Sequence, residues 1–324
     1  MNELHFTVLG PSGCGKTTLL ACMNEYFGRV MSGSFEAGDT EIFKRLSDAY
    51  TRLKDKADDN GHEIIFSGGI EGTDAEKQYP FTLKGSRRNI ALRFFDFPGG
   101  WIDPRDPEKS IHFKRVSETA QSSKVIIAVI NSPYLMQYDG KYRNYAGIDE
   151  TEYIIENSLT PDGGDKLILL VPVKCEKYLT NGKYAELLRG AVKKYFTRTI
   201  SLAGNQSPYY GKLAVAILPV KTMGNVQLRR FEVRDGEPVL TFGTTGSVFR
   251  PEDTDQPLRY ALSFLLGQYM KRRSGFTAAL DWVFGGGNLD KIIASIREGM
   301  RENFRGSEII AGRELLGFPP REGV

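Results

Sequence analysis

Residues 10–18 read "GPSGCGKTT". Gly10, Gly15, Lys16 and Thr17 satisfy the spacing GxxxxGK[ST], and the match lies between the apolar run "LHFTVLG" and a helix-like stretch. The spacing predicts a loop that grips phosphate. The loop of Gly10, Pro11, Ser12, Gly13, Cys14, Gly15, Lys16, Thr17 and Thr18 surrounds the phosphate oxygens with its backbone N–H groups, Pro11 having none, together with a helix N-terminus. Lys16 reaches the β- and γ-phosphates, and the Thr17 hydroxyl binds Mg²⁺.

A second constellation is "LRFFDFPGGW". An apolar strand ends in Asp96, and Pro98-Gly99 follows; this resembles the DxxG element of GTPases. The resemblance implies that the Asp96 carboxylate holds a Mg²⁺-bound water. It also implies that the Gly99 N–H senses the γ-phosphate, a contact whose release collapses switch loops. Further on, "VPVKCEKY" ends an apolar strand where GTPases carry [NT]KxD. Lys174 is expected to cover the base with its stem. Glu176 stands in for the aspartate that accepts from guanine N1 and N2. "LPVKTMG" follows where a loose backbone loop touches the guanine oxygen, which adds Lys221 to the expected site. Thr73, in "GGIEGTDAEKQYPF", is the threonine expected to close on Mg²⁺ and γ-phosphate; Thr82 sits within a strand instead.

Two other families share the loop's letters. ABC ATPases place a β-rich segment before it, whereas here it begins at residue 10. Their LSGGQ signature opens a helix, whereas "FSGGIEG" runs into polar residues and a strand pair. Their acidic strand ends Asp-Glu, whereas Asp96 is followed by Phe97. Guanylate kinases need a lid of clustered arginines, and Arg87 and Arg88 sit in a short turn.

In chain order, "GPSGCGKTT", "EGT", "FFDFPGGW", "VPVKCEKY" and "LPVKT" resemble a translation-factor/Ras-like GTPase domain over residues 3–272. More narrowly they look like the bacterial double-GTPase family, whose members share a DxPG element ending in an aromatic and a KCE-type strand end. The resemblance implies GTP and GDP as ligands with Mg²⁺, slow hydrolysis, and a switch acting through a protein partner. Some relatives are linked to bacterial conflict and defence. One departure matters for the chemistry. Ras-like enzymes place a water-orienting Gln after the DxxG glycine, and here that position is Gly100, then Trp101. Slow intrinsic turnover follows, with Asp103, Arg105 or a partner's arginine able to assist. A nucleotide-locked scaffold and an ATPase module are the alternatives.

These residues need a scaffold that brings strand ends together. "KVIIAVI", "KLILLVPV" and "KLAVAILPV" are continuous apolar runs suited to strands covered on both faces. Helical stretches fall at 15–27, 41–57, 148–159, 182–199 and 256–273. A strand pair fits 79–84 and 89–97, a polar loop fits 58–78, and a hairpin at 226–242 turns at "RDGE". The alternation predicts an α/β fold, a doubly wound and mostly parallel sheet of the P-loop NTPase, Ras-like G-domain type. Residues 1–273 are read as that domain and 274–324 as a C-terminal helical extension, whose 288–304 stripe packs on the domain or meets a partner. The chain of 324 residues carries 43 basic against 40 acidic side chains, a near-balance that argues against nucleic-acid binding. No apolar run suits a membrane span. Cys14, Cys22 and Cys175 make no disulfide framework, and with no signal-peptide pattern the expected location is cytoplasmic.

Overall fold

Three strands with no exposed residue form the middle of the sheet: β6 (Val125–Asn131), β7 (Lys166–Val173) and β8 (Leu213–Ile217). β-branched and leucine side chains on both faces suit a parallel sheet sandwiched between helices. β1 (Leu4–Leu9) lies beside β6 and is parallel to it, and β5 (Asn89–Asp96) is parallel to β1. Antiparallel strands complete the edges: β4 (Lys77–Lys84) on β5, β2 (Phe35–Ala37) on β4, and β11 (Glu308–Ala311) on β8. The eight-stranded order is β11-β8-β7-β6-β1-β5-β4-β2. This is the doubly wound α/β arrangement, in a computed structural model that describes residues 3–30, 35–58, 63–65, 75–84, 89–102, 110–246, 248–271 and 294–319.

Helices cover both faces. On one side Phe6, Val8, Leu92 and Phe94 pack under α1 (Lys16–Val30), α2 (Thr40–Asp58) and α8 (Gln256–Lys271). On the other, Leu9, Ile126 and Ile168 pack under α3 (Ser110–Ser122) and α5 (Ile148–Asn157). The short α4 (Ser132–Met136) follows β6 directly. The stretch expected to be one helix at 182–199 is two, α6 (Gly182–Tyr195) and α7 (Thr197–Leu202). Phe196, buried at their junction, leaves helical geometry to reach the core.

A second sheet, ordered β3-β10-β9, adds β3 (Glu63–Ile65), β9 (Val226–Arg234) and β10 (Glu237–Thr244). β3 lies in the stretch expected to be loop. The β9–β10 hairpin turns at Asp235 and Gly236, both at positive φ, as a tight two-residue hairpin requires. Its inner face, Val226, Leu228, Phe231, Leu240 and Phe242, packs on Cys22 of α1, Leu53 of α2 and Cys175 after β7. The tail contributes more than helix. Residues 294–298 are helical with Ile296 fully buried in the main core, and β11 then extends the sheet beyond β8. Packing on the domain is what the described part of the 288–304 stripe does.

Lys166 opens β7 and is buried, donating to the carbonyls of Ala120, Gln121 and Ser158 at 2.7, 3.2 and 3.1 Å. Burial, with Lys124 nearby, pulls its ammonium down to about 7. An unfolded lysine holds its proton to about 10.4. Between those values the unfolded chain binds more protons, so this group makes stability rise with pH across that window. Lys166→Met is expected to flatten the rise. Urea midpoints at several pH values read it, and identical pH slopes for both proteins would refute it.

Candidate functional site

The loop from Gly10 to Gly15 joins β1 to α1 at the carboxyl end of the parallel strands, where open α/β sheets bind ligands. Gly10, Gly13 and Gly15 take φ of 144°, 68° and 115°. At Gly10 a Cβ would also lie 2.7 Å from the Val129 carbonyl oxygen of β6, so only glycine fits. Lys16 is buried, and its Nζ donates to the carbonyls of Gly10 at 2.9 Å and Pro11 at 3.3 Å. The ammonium is thus curled over its own loop. Burial pushes the Cys14 thiol up, which leaves it no role as a nucleophile.

Register brings the second constellation to the same place. Val8 of β1 is paired with Asp96 at the end of β5, and the Thr17 hydroxyl donates to Asp96 Oδ2 at 3.3 Å. A hydroxyl and a carboxylate are hard oxygen ligands suited to Mg²⁺, which takes one or two protein oxygens and completes its shell with phosphate and water. Among the described residues no cluster of three His, Cys, Asp or Glu side chains forms a metal cage. The chain then turns at Gly99, the start of a short 3₁₀ segment, Gly99–Ile102. A Cβ on Gly99 would lie 1.8 Å from the Ser12 amide nitrogen, so the backbone at 99 rests directly on the phosphate loop. Trp101 fixes that position by stacking on His112 of α3, ring centroids 4.0 Å apart.

On the other flank, Lys174 at the end of β7 donates from Nζ to the Gly13 carbonyl at 2.7 Å. It adopts a left-handed φ of 53° to do so. The ring of Phe242, from the β9–β10 hairpin, lies 5.8 Å from that ammonium. Burial lowers the Lys174 pKa. Glu176 is buried, and its Oε1 accepts from the amides of Met223 at 3.1 Å and Gly224 at 3.5 Å. Burial raises its pKa, opposed by those amides. This carboxylate, expected to accept from guanine N1 and N2, thus hydrogen-bonds the backbone of the loop after β8. Lys221 of that loop is engaged with the Glu252 carboxylate at 2.7 Å and bridges Glu252 through its backbone.

The structure thus gathers the loop residues Gly10 to Thr18 with Asp96, Gly99 and Lys174. Glu176 sits one step behind Lys174, and Lys221 turns toward Glu252. Thr73, Asp103 and Arg105 lie outside the described residues. Three contributions escaped the sequence reading. Gly147, at φ 59°, sets its Cα against the Pro11 ring. Phe242 arrives from a hairpin far along the chain. The third is a polar stripe on α2, Glu41, Arg45, Asp48 and Arg52, whose spacing is visible in the sequence once the helix is drawn.

Neither a protein-family model nor a curated protein matches the sequence. Solved structures do match in part. The chain is similar to the GDP-bound RocCORdC of Roco2 from Methanosarcina barkeri, at 15% identity, TM-score 0.30, over 68% of this chain and 44% of that one. It thus spans less than half the length of the Roco chain. It is also similar to a chain of the signal recognition particle receptor SRb-GTP/SRX complex from Chaetomium thermophilum. That match has 12% identity and TM-score 0.40, over 69% of this chain and 93% of that one. Among the described residues no helix is long and apolar enough to cross a membrane.

Proposed function

We propose that the chain is a guanine-nucleotide switch in the cytoplasm, hydrolysing GTP slowly with Mg²⁺ and acting through a protein partner. The observation that carries the reading is the 2.7 Å bond from Lys174 Nζ to the Gly13 carbonyl. It ties the strand end that meets the base in GTPases to the loop that meets the phosphates. Asp96 and Thr17 hold Mg²⁺, Lys16 and the loop amides carry the phosphates, and the Gly99 N–H reports the γ-phosphate. Thr73 closes over the cation. Residues 1–273 form the switch and the tail buttresses it. The sequence likeness to bacterial double GTPases extends the proposal to a role in conflict or defence.

Binding of labelled GTP and ATP to wild type and Glu176→Ala tests the base assignment. Guanine N1 and N2 donors on a carboxylate are each worth about 1.5–3 kcal/mol. GTP affinity is expected to fall by about 10-fold or more while ATP affinity stays constant. Equal affinities that Glu176→Ala leaves alone would favour the ATPase module. GTP binding without phosphate release above the Lys16→Ala background would favour a nucleotide-locked scaffold.

A further inference from the structure

Beside Thr17 lies a cavity of about 410 Å³, walled by Glu41, Lys44, Arg45, Asp48 and Arg52 of α2. Three cations against two carboxylates give the wall a net positive charge facing the cation and phosphate side of the loop. The helix that carries it is firmly placed. Asp39 caps its start, accepting from the Glu41 amide at 2.8 Å. Leu46, Ala49 and Leu53 are buried at helical spacing against α1 and the second sheet. Glu41, Arg45, Asp48 and Arg52 recur at helical spacing on the stripe beside those buried positions, where they and Ala49 line the cavity.

Tyr79 of β4 singles out one of these cations. Its side chain is buried, and its hydroxyl has no hydrogen-bond partner. Burial and the Asp96 carboxylate push this phenol up to about 12, and the Arg45 guanidinium opposes them. One buried hydroxyl thus lies within electrostatic reach of both Asp96 and Arg45. The sequence neighbours of Gly99, Pro98 and Gly100, carry no polar side chain.

We infer that Arg45 is an arginine supplied in cis, which leans across this cavity onto the γ-phosphate of bound GTP. This rests on the nucleotide reading above. In hydrolysis a water oxygen bonds to the γ-phosphorus as the bond from that phosphorus to the β–γ bridging oxygen breaks. The electron pair stays on the β-phosphate of GDP, and the water's proton leaves with inorganic phosphate. Arg45 forms no bond in this step. Its guanidinium neutralises charge growing on the bridging and equatorial oxygens. An arginine in cis, with no glutamine to orient water, gives turnover that is slow yet independent of a partner.

The test uses the full-length chain in single-turnover GTP hydrolysis, with Arg45→Ala, Arg45→Lys and Arg52→Ala. Arg45→Ala is expected to slow phosphate release by at least ~20-fold, about the ratio between the intrinsic rates of a GTPase with an arginine in cis and one without, with GTP affinity within about threefold of wild type. Arg45→Lys restores part of the rate, and Arg52→Ala falls by much less than Arg45→Ala. Wild type with GDP and aluminium fluoride forms a transition-state complex without any partner, and Arg45→Ala does not. An unchanged rate in Arg45→Ala, or no aluminium fluoride complex in a wild type that binds GDP, would overturn the assignment. A wild type that binds no guanine nucleotide would instead overturn the reading on which it rests.

Discussion

Lys16→Ala is expected to remove tight binding of both GTP and GDP while leaving the fold in place. The Lys16 ammonium bonds the carbonyls of Gly10 and Pro11 and no carboxylate among its hydrogen-bond partners. The bond to the Gly10 carbonyl is buried and that to the Pro11 carbonyl partly so, and losing their shared donor costs the fold about 1–3 kcal/mol. The ligand is expected to lose more, because a charge-assisted bond to phosphate is worth about 1.5–3 kcal/mol and the proposed switch has Lys16 serve two phosphates. Affinity is expected to fall by about 100-fold or more, read by titrating a fluorescent GTP analogue, while the ligand-free protein still unfolds cooperatively with its melting temperature lowered by a few degrees. Thr17→Ala separates the cation from the charge. The Thr17 hydroxyl faces Asp96 at 3.3 Å, so its loss should cut the Mg²⁺ dependence of GTP binding and spare Mg²⁺-free GDP binding. Lys16→Ala affinity within threefold of wild type would show that the loop does not grip phosphate.

Those two residues were legible because the loop is a local object. Its glycines, lysine and threonine are consecutive, and flanking strand and helix patterns supply the context. The buried strands were legible for a related reason: continuous apolar runs leave no polar face, so they belong in the middle of a covered sheet. Asp96 and Lys174 came from the strand ends that the sheet brings together. What failed to show was whatever depends on pairing between distant segments. β11 is four residues of which Ile309 alone is buried, and only its bonds to β8 make it a strand. β3 likewise exists through β10. Glu176 has the right spacing, yet its partners are amides of the loop after β8, set by the packing of Met223 and Cys175 in the third core cluster. Arg45 was written in plain helical periodicity. It was passed over because its neighbour in space, Thr17, is on another helix.

Arg259→Met is expected to destabilise the fold by about 3–5 kcal/mol. Arg259 on α8 is buried with Asp255 one helical turn before it, and its guanidinium bonds that carboxylate. It also donates to the carbonyls of Ser295 at 2.8 Å and Ile296 at 3.1 Å. A Cβ on Gly299 would lie 2.2 Å from Arg259 Cζ, so the tail backbone lies flat on the guanidinium there. Gln256, buried one turn away, accepts from the Arg301 amide and donates to the Gly299 carbonyl, each at 2.9 Å. The tail is therefore held by polar groups of α8 that have no water to turn to. Removing the arginine leaves the buried Asp255 carboxylate with the neutral Gln256 amide as a donor at 3.2 Å and takes a donor from two carbonyls, and that uncompensated charge, more than the lost attraction, sets the cost. The double variant Asp255→Asn/Arg259→Met should accordingly regain part of the loss, which additive effects would not allow. Urea unfolding of the two singles and the double measures it. A loss under about 1 kcal/mol in Arg259→Met would mean that the tail is held by Ile296, Ile309 and Leu316 alone. The expected result would make residues 294–319 part of the folding unit that carries the phosphate loop, so that excising the tail unfolds the site instead of exposing it.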